Sequence, residues 1–202
     1  LTSDLIKIPT INPPGKNYRE ICEFLSKRLK KSGFDVDIIR AKGALADTDK
    51  YPRFNLVARH EGTYSGPCIH FNSHIDVVDT GHGWTRDPFG GSIEGDKIFG
   101  RGSCDMKGGL ASSIVAAEVF ISIFPKYYGA IEISATADEE TGGYGGVAWL
   151  AEKGYFNPKK VQSVIIPEPL NKDRICLGHR GVWWSEIETK GRVAHGSMPF
   201  LG

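Results

Sequence analysis

Long apolar runs, a dominant charge and clustered cysteines are all missing from this chain of 202 residues. Each absence excludes something. No uninterrupted apolar segment approaches the roughly 20 residues that a membrane-spanning helix needs. Lys plus Arg number 25 against 24 for Asp plus Glu, a formal net charge of +1, so no overall field favours nucleic acid or a membrane surface as a partner. Cys22, Cys68, Cys104 and Cys176 show no C-x-x-C spacing, and a chain of this size does not call for a disulfide framework. Cys22, Cys68 and Cys176 stand in apolar contexts and are expected to be buried thiols, which favours a reducing compartment, the cytoplasm. Leu1-Thr2-Ser3-Asp4 has neither the basic start nor the apolar core of a secretion signal. There is no G-x-S-x-G elbow of a serine hydrolase and no H-E-x-x-H helix. Gly142-Gly143-Tyr144-Gly145-Gly146 lacks both the spacing of a dinucleotide-binding loop and the acidic residue about 20 positions further on. With no initiator Met and no terminal helix after Ser197, the chain reads as a fragment.

What is present alternates strand-like and helix-like segments. Ile21, Phe24, Leu25 and Leu29 recur at helical spacing after Pro13-Pro14-Gly15, with Asn17 placed to cap that helix and Gly33 to end it. Phe34–Arg40, Asn55–His60 and Pro67–Asn72 read as strands, with Ala41–Arg53 as an exposed connection. Ser92–Phe99 reads as a hairpin around Gly95-Asp96. Met106–Phe124 reads as a mostly buried helix stopped by Pro125. Ala130–Ala137 and Val161–Ile166 read as further strands, with a helix over Gly143–Lys153 between them. This order predicts an α/β fold, a mainly parallel sheet covered by helices on both faces. Gly181–Lys190 alternates as an antiparallel strand does. A catalytic domain over 1–178, followed over 179–202 by the start of a smaller α+β lid or dimerisation domain, is the expected division.

Residues able to hold a divalent metal stand where strand-like segments end. His74 and Asp76 follow Cys68–Asn72, Asp105 lies in a glycine-rich turn, Glu139-Glu140 follow Ala130–Ala137, and Glu168 sits between Pro167 and Pro169. Each alone has a plainer reading: a solvated turn for His74 and Asp76, a helix cap for Asp105, an exposed acidic turn for the Glu pair, a loop residue for Glu168. Two adjacent glutamates repel unless something positive sits beside them. Carboxylates and an imidazole are costly to collect without a cation, and open α/β sheets bind ligands at the carboxyl ends of their strands. Together the residues read as a metal site, one Glu free to serve as general base.

Ser73-His74-Ile75-Asp76-Val77-Val78, Gly100–Gly109, Asp138-Glu139-Glu140-Thr141-Gly142 and Pro167-Glu168-Pro169, in that order and spacing, resemble the signatures of one family. It is the dinuclear-zinc amidohydrolases and peptidases that include acetylornithine deacetylase, succinyl-diaminopimelate desuccinylase, aminoacylase and carboxypeptidase G. The resemblance implies that His74 and Glu168 bind one metal and Glu140 the second, while Asp105 bridges both through a loop whose peptide to Met106 is cis. It implies Glu139 as general base and later proton donor, and Asp76 as the residue that orients His74. Two Zn2+ ions, with Co2+ or Mn2+ as alternatives, would share a hydroxide that attacks the amide of an N-acyl amino acid or a C-terminal peptide bond. His195, in Ala194-His195-Gly196-Ser197-Met198-Pro199, matches the family's oxyanion histidine on the lid, given from the neighbouring subunit in homodimeric members; its plainer reading is a surface loop residue. Glu rather than Asp at 168 resembles the deacylases and carboxypeptidases more than the aminopeptidases and dipeptidases. Ser103-Cys104-Asp105-Met106 is closest in wording to acetylornithine deacetylase-like members, which implies a setting in amino-acid biosynthesis. The family's late histidine on the second metal and its lid arginine have no counterpart here. His60, His70, His82 and His179 sit in no matching motif. The rival expectation is a non-catalytic metal- or partner-binding relative, or an inactive fragment.

Overall fold

A computed structural model of the chain describes every residue except Lys172, His179, Val182 and Trp184. It divides into two compact units, Leu1–Pro169 and Leu170–Gly202. The helices of the first unit are α1 (Thr2–Ile6), α2 (Tyr18–Lys31), α3 (Lys107–Ile123) and α4 (Val147–Glu152). Its strands are β1 (Asp35–Arg40), β2 (Phe54–Glu61), β3 (Tyr64–His74), β4 (Ser92–Glu94), β5 (Lys97–Phe99), β6 (Tyr128–Thr136) and β7 (Val161–Ile165).

The main sheet runs β1-β2-β6-β3-β7, while β4 and β5 form the expected hairpin. β6, β3 and β7 are mutually parallel; β2 runs against β6, and β1 against β2. Four of the five strands therefore point one way and only β2 is reversed. The period of two decides which side chains meet the core. Ile131, Ile133 and Ala135 of β6 join Leu56, Ala58 and Val36 in the main apolar cluster, while Ala130 faces a second cluster with Cys68 and Val161. Helix α2 packs on β1 and β2 through Ile21, Leu25 and Leu29, each fully buried. At about 1.5–3 kcal/mol for each fully buried large aliphatic side chain, that stripe fixes the helix to the sheet. Helix α3 lies on β3 and β6.

Several local expectations are corrected. Asn17 stands at the start of α2, but its side chain donates to Pro9 O at 3.0 Å instead of capping. The stripe Leu110, Ala111, Ile114, Ala117 of α3, with Ile121 partly buried, reaches the core, and Val115, Val119, Phe120 and Ile123 are exposed; a helix that is apolar all round does not reveal in its sequence which side it buries. Helix α4 starts at Val147, not Gly143, because Gly142 and Gly143 take positive φ in the preceding turn. Cys22 and Cys68 are buried as expected, but Cys176 is exposed, like Cys104. Arg53 closes the supposedly exposed connection from a buried position. Val182 and Trp184, half of the alternation in Gly181–Lys190, lie outside the described residues, and the described residues of that stretch form no strand. Alternation becomes a strand only where a partner offers a ladder.

Candidate metal centre

Three parallel strands end side by side. β3 stops at His74, β6 runs through Ala137 and Asp138 into a 3-10 turn at Glu139–Thr141, and β7 ends three residues before Glu168. Asp105 comes from the loop ahead of α3, and its peptide to Met106 is cis. The Met106 sulfur accepts the His74 backbone N–H at 3.2 Å. Gly102 (φ 86°) lets this loop close on Val77, whose Cγ1 would lie 2.8 Å from any added Cβ.

The structure brings His74, Asp76, Asp105, Glu139, Glu140 and Glu168 together. His74 Nε2 lies 3.0 Å from Asp105 Oδ1, 3.7 Å from Glu168 Oε1 and 3.8 Å from Glu139 Oε2. One ligand atom each of His74, Asp105 and Glu140 fall within 4.8 Å of one another. The imidazole is buried, whereas the Glu139 side chain is 53% exposed and open to solvent.

Asp76 meets His74 through its backbone as well as its carboxylate. His74 Nδ1 is 2.9 Å from the backbone carbonyl of Asp76 and 3.5 Å from its carboxylate. The carbonyl thus takes the Nδ1 proton and leaves Nε2 facing the acidic groups. The carboxylate, fully buried, accepts the backbone N–H of Glu139 at 3.1 Å and of Glu140 at 3.2 Å. Sequence reasoning gave no role to the residues that brace this turn. Asp138 sits in the left-handed region (φ 62°), its carboxylate receiving Arg53 Nε at 2.9 Å and Tyr18 Oη at 3.0 Å. Asn55 donates to Gly145 O and accepts the Ala137 N–H. Gly146 packs so closely on the Ala137 carbonyl that a side chain there would collide with it. A polar residue beside prolines, as Asn12 and Arg53 both are, was the available signal.

The electrostatics show what the cluster lacks. Burial opposes the charged form of His74, but hydrogen bonds to Asp105 and Asp76 and the charge of Glu168 outweigh it and push the imidazole up to about 11. His74 in turn holds the Asp105 carboxyl below its usual value. Burial, then the charge of Asp105, raises Glu140. Burial raises Glu168 to about 7, helped by Asp105, Glu139 and Glu140 and opposed by His74. Four carboxylates gathered around one imidazole carry negative charge that the His74 proton and the more distant Arg101 offset in part, and these oxygen and nitrogen donors fit a divalent cation of the zinc, cobalt or manganese kind.

His195 lies in the second unit, exposed, with Nδ1 2.8 Å from Ser197 Oγ. The other histidines stay outside the cluster where described: His70 binds Glu132 and Ser134 across β3 and β6, and His60 meets Tyr127. His179 is outside the described residues.

A model of peptidase family M20/M25/M40 matches residues 70–196. The chain is 35% identical over 204 residues to a probable succinyl-diaminopimelate desuccinylase of Staphylococcus epidermidis, a match that covers all of this chain and 46% of that protein. It spans about half the length of the curated relatives it matches. Among solved structures it resembles the M20 family metallo-carboxypeptidase Sso-CP2 of Sulfolobus solfataricus, with a TM-score of 0.66 and 23% identity over 82% of this chain and 36% of that one. It also resembles the YXEP protein of Bacillus subtilis, described as a dinuclear metal binding peptidase, with a TM-score of 0.57 and 18% identity over 82% of this chain and 40% of that one.

Proposed function

The chain belongs to peptidase family M20/M25/M40, and from that premise we propose that this protein is a metal-dependent hydrolase of the amide bond in an N-acyl amino acid. The observation that carries the reading is the convergence of His74, Asp105 and Glu140 within 4.8 Å, with Glu168 and Glu139 beside the same imidazole nitrogen. The desuccinylase relatives favour an N-acyl amino acid over a C-terminal peptide bond as substrate.

In this reading His74 and Glu168 hold one ion, Glu140 a second, and Asp105 both; zinc suits the donors best, with cobalt or manganese as alternatives. The ions supply a water of lowered pKa and a Lewis acid for the carbonyl oxygen. Glu139 is half-exposed, lies 3.8 Å from His74 Nε2 and holds no ion in this reading, so it takes the proton of the attacking water. After the tetrahedral intermediate forms, the same carboxyl returns that proton to the departing amine. Asp76 fixes the ring of His74 through its carbonyl and the Glu139-Glu140 turn through its carboxylate. His195 donates to the oxyanion, from the neighbouring subunit of a homodimer. The buried thiols of Cys22 and Cys68 support a reducing compartment, the cytoplasm, as its location.

The test is Glu139→Ala in the intact protein, assayed on N-acetyl and N-succinyl amino acids with the metal content measured in parallel. Turnover is expected to fall by about 10²–10⁴-fold, the range for losing a general base, with the metal retained. Loss of metal together with rate would place Glu139 among the ligands instead.

A further inference from the structure

Thr10–Asn12 runs beside Ile75–Val77, with Ile11 bridged to Val77 in parallel. The Asn12 N–H donates to Val77 O at 2.9 Å and the Val77 N–H to Thr10 O at 3.0 Å, while Thr10 Oγ1 donates to Ile75 O. These bonds set the Asn12 side chain, 1% exposed, against the turn that carries Glu139 and Glu140. Its amide nitrogen donates twice, to Asp76 Oδ2 at 2.9 Å and to Thr141 Oγ1 at 2.9 Å. Asp76 passes the restraint on, since Oδ1 accepts the Glu139 N–H and Oδ2 the Glu140 N–H. One amide group thus holds the turn from two sides. The other half of that amide, Oδ1, is buried with no hydrogen-bond partner among the described residues. A neutral group with two N–H donors on one atom is what bridges an acceptor-only carboxylate and a hydroxyl.

We propose that Asn12 is a positioning residue for the hydrolysis, bracing Asp76 and Thr141 so that Glu139 and Glu140 keep their places relative to His74. The inference rests on the reading given under Proposed function. Asn12 reaches no metal ligand directly, and its effect passes through the turn. A misplacement of about 1 Å at a reacting group can lower a rate by ~10²-fold.

The experiment compares Asn12→Ala and Thr141→Val with the wild type in the intact protein loaded with zinc. Three quantities are read: kcat and KM on an N-acyl amino acid, zinc affinity by chelator competition, and the melting temperature. Loss of a group that orients ligands from behind predicts a fall of about 10–100-fold in kcat for Asn12→Ala, with weaker zinc binding. KM is expected to stay within about twofold, since the bound substrate is not touched. Thr141→Val, which removes one arm of the brace, is expected to show a smaller loss of the same kind. A lower melting temperature with wild-type kcat and zinc affinity overturns the proposal and makes Asn12 a purely structural residue. Should Asn12→Ala not fold, Thr141→Val decides, and an unchanged kcat and zinc affinity there overturn it. A wild type that binds zinc yet cleaves no N-acyl amino acid defeats the functional reading alone; the zinc affinities of the variants then decide this one, a loss supporting it and parity overturning it. A wild type that holds no zinc overturns both.

Discussion

At Asp138 a non-glycine residue takes φ 62° with its carboxylate buried, two features that each cost stability. Arg53 and Tyr18 offset them by donating to its two oxygens, and the return is a fixed start for the turn bearing Glu139. The same logic governs protons at the cluster. Without a cation, His74 is held charged up to about 11 by Asp105, Asp76 and Glu168 despite burial, and burial with three neighbouring carboxylates keeps Glu168 protonated below about 7. An incoming metal has to displace both protons. The His74 proton opposes binding throughout this range, and below about pH 7 the Glu168 proton joins it, so affinity falls more steeply as the pH drops. Zinc affinity measured by chelator competition between pH 8 and pH 6 is expected to lose up to about tenfold more per pH unit below 7, the weight of one further proton. Glu168→Gln, which carries no such proton, is expected to bind more weakly at pH 8 yet show a flatter decline below 7. Parallel curves for the two proteins would remove Glu168 from the ligand set.

Among the elements, the short helix α1 is tied to the Asp105 loop by one buried ammonium. Lys107 Nζ donates to Leu5 O at 3.0 Å and Ile8 O at 2.8 Å, and burial lowers its pKa to about 7 from 10.5. The unfolded chain keeps that proton up to about 10.5, whereas the folded chain releases it near 7. Between these limits the unfolded state binds more protons, so this group adds stability as the pH rises through and above 7 and adds no slope below it. The unfolding free energy of the metal-free protein, from urea titration, is expected to rise from pH 7 to 8.5 relative to that of Lys107→Met, by at most about 1.4 kcal/mol per pH unit. Identical slopes would mean that the two carbonyls keep the ammonium charged. This tie was invisible in the sequence, where Lys107 is one more lysine beside glycines. Strand ends and their acidic residues were legible because alternation and turn chemistry are local. His74, Asp105, Glu140 and Glu168 could be gathered into one candidate site for that reason. The braces were not legible: Asn12 to Thr141 spans 129 residues and Arg53 to Asp138 spans 85, and no spacing rule joins residues so far apart. The outer side of α3 escaped for the opposite reason, since apolar residues on every side leave no contrast to read.

For the first unit as a whole, the β7 edge of the sheet exposes apolar side chains on both faces. Val164 and Ile165 on β7, Ile166 after it, Ile69 on β3 and Tyr128 on β6 are exposed, as are Val119, Phe120 and Ile123 on α3. Between α3 and the sheet lies an apolar cavity of about 320 Å³ lined by Ile69, Phe71, Phe120 and Tyr128. β7 is also an edge strand whose outer ladder is unpaired among the described residues. A flat apolar edge beside an apolar helix face is the surface most prone to self-association. With these apolar side chains exposed, residues 1–202 are expected to bind a hydrophobic dye and to elute from a sizing column above the monomer position. Val164→Lys with Ile123→Lys puts charge on the strand edge and on the helix face without touching the buried core, and is expected to restore the monomer. Neither substitution alters a residue of the proposed ligand set, His74, Asp105, Glu140 and Glu168, so zinc affinity of the double variant should match that of the unaltered chain. Dye binding and elution unchanged by both charges would mean that the exposed β7 edge and the outer face of α3 do not drive association.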